Sequence, residues 1–423
     1  MKKLVWKRWG DPEFFSSIHD IPFSDGVYVY KNDSGLILPL KLTNTHLINT
    51  SKRILVVLNA AVAQEKASPP FFSGIRLAAG FEGPVLSISD PGTHVNNVNL
   101  AWYAGTESYS NLQNHLCDLI HHLSEKTSLK PLILGSSGGG FAALVIAKLS
   151  QSQCDCIVIN PQTNIFRYWK NHVATYLSEC HGLEYSKTSE QILNKKGIIT
   201  DVTKNPIVEN PVLYLQNLFD SHHIENHATP IFGNDFLSNS VFGTRHSITW
   251  FSAPWGRGPH RVWPDQLQLI LNMCVSGFTF AEIIHKLESM FYPELESLSE
   301  IKDSTDITSY EHNKHFPSYS FDMSYDDSNL SWSELFRFTI PKKINQNFYR
   351  LLYFLLDWNL WYEKQKNNPK MVISKKEKVE RLKLIEVVIF KCEQLDMFDS
   401  ELLTLRTIKR ILNQDSLGFS EDF

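Results

Sequence analysis

The chain has 423 residues, which is enough for one large domain with an addition or for two domains. Hydrophobic residues make up 43% of the chain and charged residues 20%, as in soluble globular proteins. The net charge of -4 gives no electrostatic reason to expect nucleic acid as a partner. No segment has the uninterrupted apolar length of a membrane span, so we expect no membrane span.

Cysteine usage and the start of the chain both favour a cytoplasmic location. Six cysteines are scattered without the spacing of a zinc finger or of a redox motif, and we expect them to be reduced thiols. Residues 1–8 are basic but are not followed by the long apolar stretch of a signal peptide. Nothing in this pattern points to a bound cofactor or metal, and we expect neither.

Short apolar runs typical of strands recur as far as residue 251. Turn residues 32–35 join the first two runs, which predicts an antiparallel hairpin. The later runs alternate with helical patterns, such as the apolar period across residues 110–124, and this alternation favours a parallel α/β sheet. The runs cover residues 26–30, 36–42, 53–59, 84–90, 132–134, 155–160, 212–217 and 247–251.

One of these runs leads into a turn made only of glycine and serine, followed by an alanine-rich helical start. Residues 131–144 are P-L-I-L-G-S-S-G-G-G-F-A-A-L and contain the pattern G-x-S-x-G with Ser137 at its centre. A serine on a sharp strand-to-helix turn holds its Oγ clear of the sheet, and nearby backbone leaves room only for glycine beside it. Ser137 is therefore the predicted nucleophile. The alternative is an ordinary strand-to-helix turn or a flexible linker.

The region after the strand-like residues 155–160 is harder to assign. Residues 164–211 are rich in Tyr, Lys and polar residues, and they are predicted to be either a lid over the carboxyl edge of the sheet or an ordinary pair of helices. Residues 266–287 are predicted to form the last helix of the sheet domain.

A serine nucleophile needs a histidine base, and the histidine needs an acid that orients it. In a sheet of this type the acid and the histidine follow later strands, in the order serine, acid, histidine. Asp220 comes shortly after one such strand, and His260 lies in a Gly/Pro loop before a helix that begins near residue 264. We therefore predict the triad Ser137, Asp220 and His260, with Asp235 as the reserve acid.

Each member of this site has a simpler alternative. The alternatives are a turn-capping role for Asp220 and a plain loop position for His260. His222, His223 and His227 crowd close to Asp220, but their loose spacing and the absence of a cysteine partner disfavour a zinc site.

Acyl transfer also needs donors for the oxyanion that develops on the substrate carbonyl. The backbone N–H of Gly138, directly after the nucleophile, is one predicted donor. The N–H of Ala60 or Ala61, at the end of the strand-like residues 53–59, is the other.

With these residues in place, residues 50–285 resemble the α/β-hydrolase superfamily. Four stretches narrow the resemblance to bacterial α/β-hydrolase-like proteins of capsule and surface-glycan synthesis, including polysaccharide O-acetyltransferases. The resemblance implies acyl transfer through an acyl-serine, above all O-acetylation of a polysaccharide or other glycan, with acetyl-CoA as an acyl donor. The four stretches are residues 89–91 (S-D-P), 100–105 (L-A-W-Y-A-G), 135–141 (G-S-S-G-G-G-F) and 160–163 (N-P-Q-T).

The predicted fold is an α/β-hydrolase-like, mostly parallel sheet with flanking helices, an N-terminal hairpin and a helical C-terminal addition. Residues 1–50 are the N-terminal β hairpin region that joins the sheet, and residues 51–290 are the catalytic domain. Residues 291–331, poor in aliphatic side chains, are a linker or arm, and residues 332–423 are a helical region with a dense aromatic stretch. That stretch is interpreted as core, or as a docking surface for a protein partner or a second copy of the chain.

Two other functions remain open at this point. A carboxylesterase or deacetylase would use the same triad and transfer the acyl group to water. A non-catalytic accessory protein of a glycan or secretion complex would instead use the C-terminal helices for docking.

Overall fold

The computed structural model describes residues 2–33, 35–151, 153–204, 210–217, 220–233, 242–245, 247–253, 255 and 262–291. The predicted C-terminal helical region and all but the first residue of the predicted linker lie outside these residues. Contacts divide the chain into two units, the first comprising Met1–Asn217, His222–Ala253 and Arg261–Pro317. The second unit comprises Leu218–Ser221, Pro254–His260 and Ser318–Phe423, of which Asp220, Ser221 and Trp255 are described.

A sheet of ten strands lies at the centre of the described part of the first unit. The strands are β1 Pro12–Phe15, β2 Gly26–Lys31, β3 Ile37–Thr43, β4 Arg53–Leu58, β5 Val85–Ile88, β6 Lys130–Ser136, β7 Asp155–Ile159, β8 Val212–Asn217, β9 Phe242–Arg245 and β10 Ile248–Ala253. Their order is β1-β2-β3-β5-β4-β6-β7-β8-β10-β9. The six strands from β5 to β10 in this order run parallel, and β3 is antiparallel to both of its neighbours.

Helices follow the parallel strands and cover the sheet. The helices are α1 Ile75–Ala78, α2 Leu112–Thr127, α3 Gly138–Leu149, α4 Lys170–His181, α5 Lys187–Lys195, α6 Ser221–His223, α7 Thr229–Phe232, α8 Pro264–Val275 and α9 Phe280–Phe291. The alternation of strands and helices, with a mostly parallel sheet, confirms the predicted α/β fold class.

Helices α2 and α3 are adjacent to the central strand β6, and their apolar residues explain why they pack there. The apolar positions that predicted α2 are all buried: Leu112, Leu116, Leu119, Ile120 and Leu123. In α3 every residue from position 138 to position 147 is buried, so this helix is surrounded by protein rather than lying on the surface. A helix apolar on all sides, directly behind the predicted nucleophile, gives that turn a rigid support.

The predicted hairpin is confirmed by the antiparallel pair β2 and β3. Two short strands were not predicted, β1 beside β2 and β9 beside β10. Each has four residues at an edge of the sheet and is only partly buried, so neither carries the continuous apolar pattern that marks the central strands.

The prediction of a single last helix across residues 266–287 is wrong, because two helices, α8 and α9, occupy this region. Gly277 has a φ of 91°, a left-handed conformation that ends the first helix. Thr279 and Glu282 then form a capping box, in which the Glu282 carboxylate accepts from Thr279 N–H at 2.7 Å and Thr279 Oγ1 accepts from Glu282 N–H. In the described part of the chain no helix is long and apolar enough to cross a bilayer.

Two buried histidines, His94 and His181, bear on the stability of the fold. Burial lowers the pKa of His94 to about 3, and burial together with Lys196 lowers the pKa of His181 to about 4. His94 is held by a hydrogen bond between its Nε2 and Ser89 Oγ at 2.8 Å. Because the unfolded chain binds a proton at each histidine near pH 6.5 and the folded chain does not, acid favours unfolding.

We predict that His94→Gln weakens the acid sensitivity of the fold. Between pH 6.5 and 4, His94 should cost the wild type up to about 1.4 kcal/mol of unfolding free energy for each pH unit, a loss that the variant escapes. Urea unfolding of both proteins across this range measures the difference, and the contributions of other titrating groups cancel in it. A difference that stays constant with pH would contradict the prediction.

Candidate active site

Ser137 lies at the turn between β6 and α3 with a φ of 52° and a ψ of -117°. An L-amino acid rarely adopts a positive φ, and such residues persist only when the surrounding structure holds them. Here Ser137 N donates to Ile159 O at 3.0 Å, and Gln162 N donates to Ser137 O at 3.1 Å. The strand beside β6 and the segment that follows it therefore fix both sides of the serine backbone.

The glycines around Ser137 are needed because backbone approaches them closely. A Cβ at Gly135 would overlap the carbonyl of Gly139. A Cβ at Gly139 would be 2.8 Å from the carbonyl oxygens of both Leu58 and Asn59. The first turn of α3 thus packs against the carboxyl end of β4.

The Ser137 hydroxyl has a hydrogen-bond partner that the sequence did not predict. Gln162 Nε2 donates to Ser137 Oγ at 2.9 Å. The Oε1 of the same side chain accepts from Trp102 Nε1. Gln162 and Trp102 are both fully buried, so this row of contacts ties the serine to the protein interior. The sequence feature that could have identified Gln162 is its position shortly after β7, the strand that pairs with β6.

The predicted oxyanion donors lie at the ends of neighbouring strands. Gly138 is the first residue of α3, so its N–H has no acceptor within the helix. Ala60 and Ala61 follow β4, which the first turn of α3 contacts. Neither alanine N–H donates to another residue in the described ranges. Their role as oxyanion donors stays a prediction.

A buried polar network holds the end of β4 in place. Asn59 N donates to the Tyr103 hydroxyl at 2.8 Å, and that hydroxyl lies 2.7 Å from both Asn59 Oδ1 and Ile88 O. Asp90 N donates to Asn59 Oδ1 at 3.1 Å, while the Asp90 carboxylate accepts from the N–H groups of Tyr103 and Gly92. Burial raises the pKa of Asp90 to about 6 in spite of these two donors. The network fixes the backbone from which the Ala60 and Ala61 N–H groups extend.

The other two residues of the predicted triad, Asp220 and His260, follow β8 and β10 in the chain. Asp220 follows β8 in the chain and is only 3% exposed, but it belongs to the second unit. His260 and the reserve acid Asp235 lie outside the described residues. The part of the triad beyond Ser137 therefore stays a prediction.

A group of aromatic and imidazole rings lies next to Trp102. Tyr168 contacts the edge of Trp102 at a centroid distance of 6.2 Å and is within 6.3 Å of the rings of His222, His223 and His227. His227 Nδ1 accepts from Thr163 N at 3.2 Å, and its pKa is held well below the usual value by burial and by the neighbouring His223, His222 and Arg167. Within the described ranges, no group of His, Cys, Asp and Glu is arranged to hold a metal ion.

The segment after β7 contains two helices, α4 and α5, and whether they act as a lid stays a prediction. Helix α4 packs its buried Tyr176 edge-on against Trp102 at 5.4 Å. Just before this helix, Trp169 stacks on His222 with centroids 4.2 Å apart and remains 52% exposed. One broad aromatic face therefore points to solvent at the start of the pair.

Comparison with known proteins gives one family match and several structural similarities. Residues 92–222 match the model of an uncharacterised protein family, UPF0227. A comparison of the sequence with curated proteins finds no match. Because the family model matches only part of the chain, it does not establish the family of the whole protein.

Solved structures with a similar fold include the capsule O-acetyltransferase of Neisseria meningitidis serogroup A, with 16% identity over 60% of this chain and 95% of that chain and a TM-score of 0.41. MPT51 of Mycobacterium tuberculosis is 14% identical over 61% of this chain and 100% of that chain, with a TM-score of 0.40. Prolyl oligopeptidase B from Galerina marginata is 13% identical over 49% of this chain and 30% of that chain, with a TM-score of 0.36. At such low identity these similarities say nothing of substrate or of catalytic residues.

We predict that Gly135→Ala is much more destabilising than an alanine at a glycine with open surroundings. The new Cβ overlaps the Gly139 carbonyl, so the elbow must shift, at a cost of about 3 kcal/mol. Gly197→Ala is the control, since Gly197 has a φ of 81° and no atom within 4 Å of its Cβ position, and should lose only about 1 kcal/mol. Urea unfolding measures both losses, and equal losses would contradict the tight packing at the elbow.

Tyr103→Phe should destabilise the end of β4. The variant leaves the buried Asn59 N–H without its acceptor, which costs about 1 to 3 kcal/mol. Tyr30→Phe is the matched control, because Tyr30 is a buried tyrosine whose hydroxyl makes no hydrogen bond within the described ranges. Thermal unfolding of both variants is the measurement, and a Tyr103 variant as stable as the control would overturn the role given to the network.

Proposed function

We propose that the protein is a serine-dependent acyl-transfer enzyme that forms an acyl-serine intermediate on Ser137. The observation that carries this proposal is the conformation of Ser137, a serine at positive φ between β6 and α3 on glycines that backbone approaches closely. Holding a serine in this way costs free energy, and such strain is concentrated at functional sites. A flexible linker would not need it.

In the proposed reaction, Ser137 Oγ attacks the carbonyl carbon of an ester or thioester while His260 takes the hydroxyl proton. The carbonyl electron pair moves to the oxygen, which the N–H groups of Gly138 and of Ala60 or Ala61 stabilise. The tetrahedral intermediate then expels the alcohol or thiol, which receives the proton from His260. Asp220 orients His260 throughout.

The acyl group is next transferred to a second molecule. A hydroxyl of the acceptor attacks the acyl carbon and gives its proton to His260, and the C–Oγ bond breaks to restore Ser137. We propose acetyl-CoA as the donor, in the cytoplasm, and a glycan hydroxyl as the acceptor, in keeping with the four sequence stretches that resemble polysaccharide O-acetyltransferases. Exposed aromatic faces such as those of Trp169 and Trp263 are suitable for stacking against sugar rings.

Water competes with any glycan acceptor, because both attack the same acyl carbon. A transferase must therefore bind its acceptor and keep the acyl-serine away from water. A carboxylesterase or deacetylase would share every residue of the proposed chemistry and differ only in the acceptor.

We predict that Ser137→Ala lowers the rate of acyl transfer at least about a thousandfold, since removing the nucleophile of a triad costs this much or more. The full chain is incubated with acetyl-CoA or p-nitrophenyl acetate, with and without oligosaccharide acceptors. Ser136→Ala, one residue away, is the matched control and should retain activity.

The same assay separates the two acceptors. A rate that rises with oligosaccharide and yields an acetylated sugar supports the transferase, whereas a rate independent of every acceptor identifies a hydrolase. Activity that survives in the Ser137 variant would refute the proposed nucleophile.

A further inference from the structure

Gln162 contacts the proposed nucleophile but belongs neither to the predicted triad nor to the predicted oxyanion hole. Its Nε2 lies 2.9 Å from Ser137 Oγ. The side chain is 0% exposed, so it reaches the serine oxygen from inside the protein and does not face the space that a substrate would enter. Any effect of Gln162 on chemistry must therefore act through Oγ.

The orientation of the Gln162 amide follows from its other partner. An indole N–H can only donate, so the atom facing Trp102 Nε1 must be the amide oxygen. The atom facing Ser137 is then the amide nitrogen, which can only donate. Ser137 Oγ accepts this hydrogen bond with one lone pair, which leaves its own O–H able to donate to a base.

The backbone around Gln162 is also fixed. Gln162 N donates to Ser137 O, and the next residue is tied to His227 twice. Thr163 N donates to His227 Nδ1 at 3.2 Å, and Thr163 Oγ1 donates to His227 O at 2.9 Å. Val202 N donates in turn to Thr163 O at 2.9 Å. The donor that faces Oγ is thus held from both the backbone and the side chain.

We propose that Gln162 is a catalytic hydrogen-bond donor to Ser137 Oγ as a leaving group, and that it speeds the step in which the acyl group leaves the serine. The inference rests on the proposed function. In the acyl-serine, Oγ is an ester oxygen and accepts a hydrogen bond only weakly. As the C–Oγ bond breaks, the bonding pair moves to Oγ, and a hydrogen bond to an oxygen with negative charge is about twice as strong.

The donor therefore stabilises the transition state for deacylation more than it stabilises the acyl-serine. No proton leaves Gln162, because the proton that Oγ regains comes from the acceptor hydroxyl through the base. Acylation gains less, since Oγ begins that step as a hydroxyl already bonded to Gln162.

Gln162→Glu and Gln162→Met test the proposal in the full chain. Ionised glutamate keeps an acceptor for Trp102 and removes the donor to Oγ, whereas methionine removes both at every pH. Because burial raises the pKa of a carboxyl group and a protonated carboxyl could still donate to Oγ, the glutamate variant is measured across a pH series. Acylation is measured as the burst of p-nitrophenol from p-nitrophenyl acetate, and deacylation as the decay of the acetylated peptide containing Ser137 by mass spectrometry. Decay is followed only in molecules that have been acylated, so a smaller folded fraction does not alter its rate.

The expected result is a deacylation rate about 10- to 100-fold lower in both variants, with a smaller change in acylation. Trp102→Phe, which frees the amide to turn over, should slow deacylation in the same direction. Gln113→Met is the matched control: Gln113 is a buried glutamine whose amide bonds to both the N–H and the carbonyl of Ile199. That variant should lose stability and keep the wild-type ratio of the two rates.

Unchanged deacylation in both Gln162 variants, or an equal fall of acylation and deacylation, would overturn the inference while leaving the proposed function intact. No acetylated Ser137 in the wild type or in either Gln162 variant, together with no acyl transfer by the wild type, would refute the proposed function itself, and the inference with it. The two failures are therefore distinguishable in one set of measurements.

Discussion

The close contact between the first turn of α3 and the ends of its neighbouring strands determines the rest of the site. Gly139 lies against the Leu58 and Asn59 carbonyls, and Gly135 lies against Gly139. Ser137, between these two glycines, has a φ of 52°. This turn is supported by a helix that is buried along most of its length. The strain at one residue is thus held by the packing of many, which is how a folded chain keeps an unfavourable local conformation.

Two polar networks adjoin this contact. In the first, Asn59, Tyr103 and Asp90 hold the end of β4, where the predicted oxyanion donors begin. In the second, Gln162 and Trp102 reach the Ser137 hydroxyl from the interior. Both networks are buried, so their hydrogen bonds form in a medium of low dielectric constant, and an unmatched partner in either would be costly. The serine oxygen and the nearby backbone donors are thus positioned before any substrate arrives.

The parts of this arrangement that follow from local pattern could be predicted from the sequence. A turn made only of Gly and Ser, between an apolar strand and an Ala-rich helix, predicts a tight strand-to-helix turn. Larger side chains at Gly135 and Gly139 would collide with nearby backbone. The break between α8 and α9 was also readable, since Gly277 and the Thr279 to Glu282 spacing are helix end and start signals. The proposed role of Gln162 could not be predicted from the sequence, because it depends on a contact with Trp102, which lies 60 residues earlier in the chain. Asp220 and His260 rest on strand order alone.

Covalent labelling shows whether Ser137 is the activated nucleophile that we propose. A fluorophosphonate probe reacts with a serine only when its oxygen is activated, so incubation with the full chain followed by peptide mass spectrometry locates any such residue. We expect one adduct, on the peptide that contains Ser137, which is retained in Ser136→Ala and lost in Ser137→Ala. An unlabelled wild-type protein, or an adduct that persists in the Ser137 variant, would contradict it.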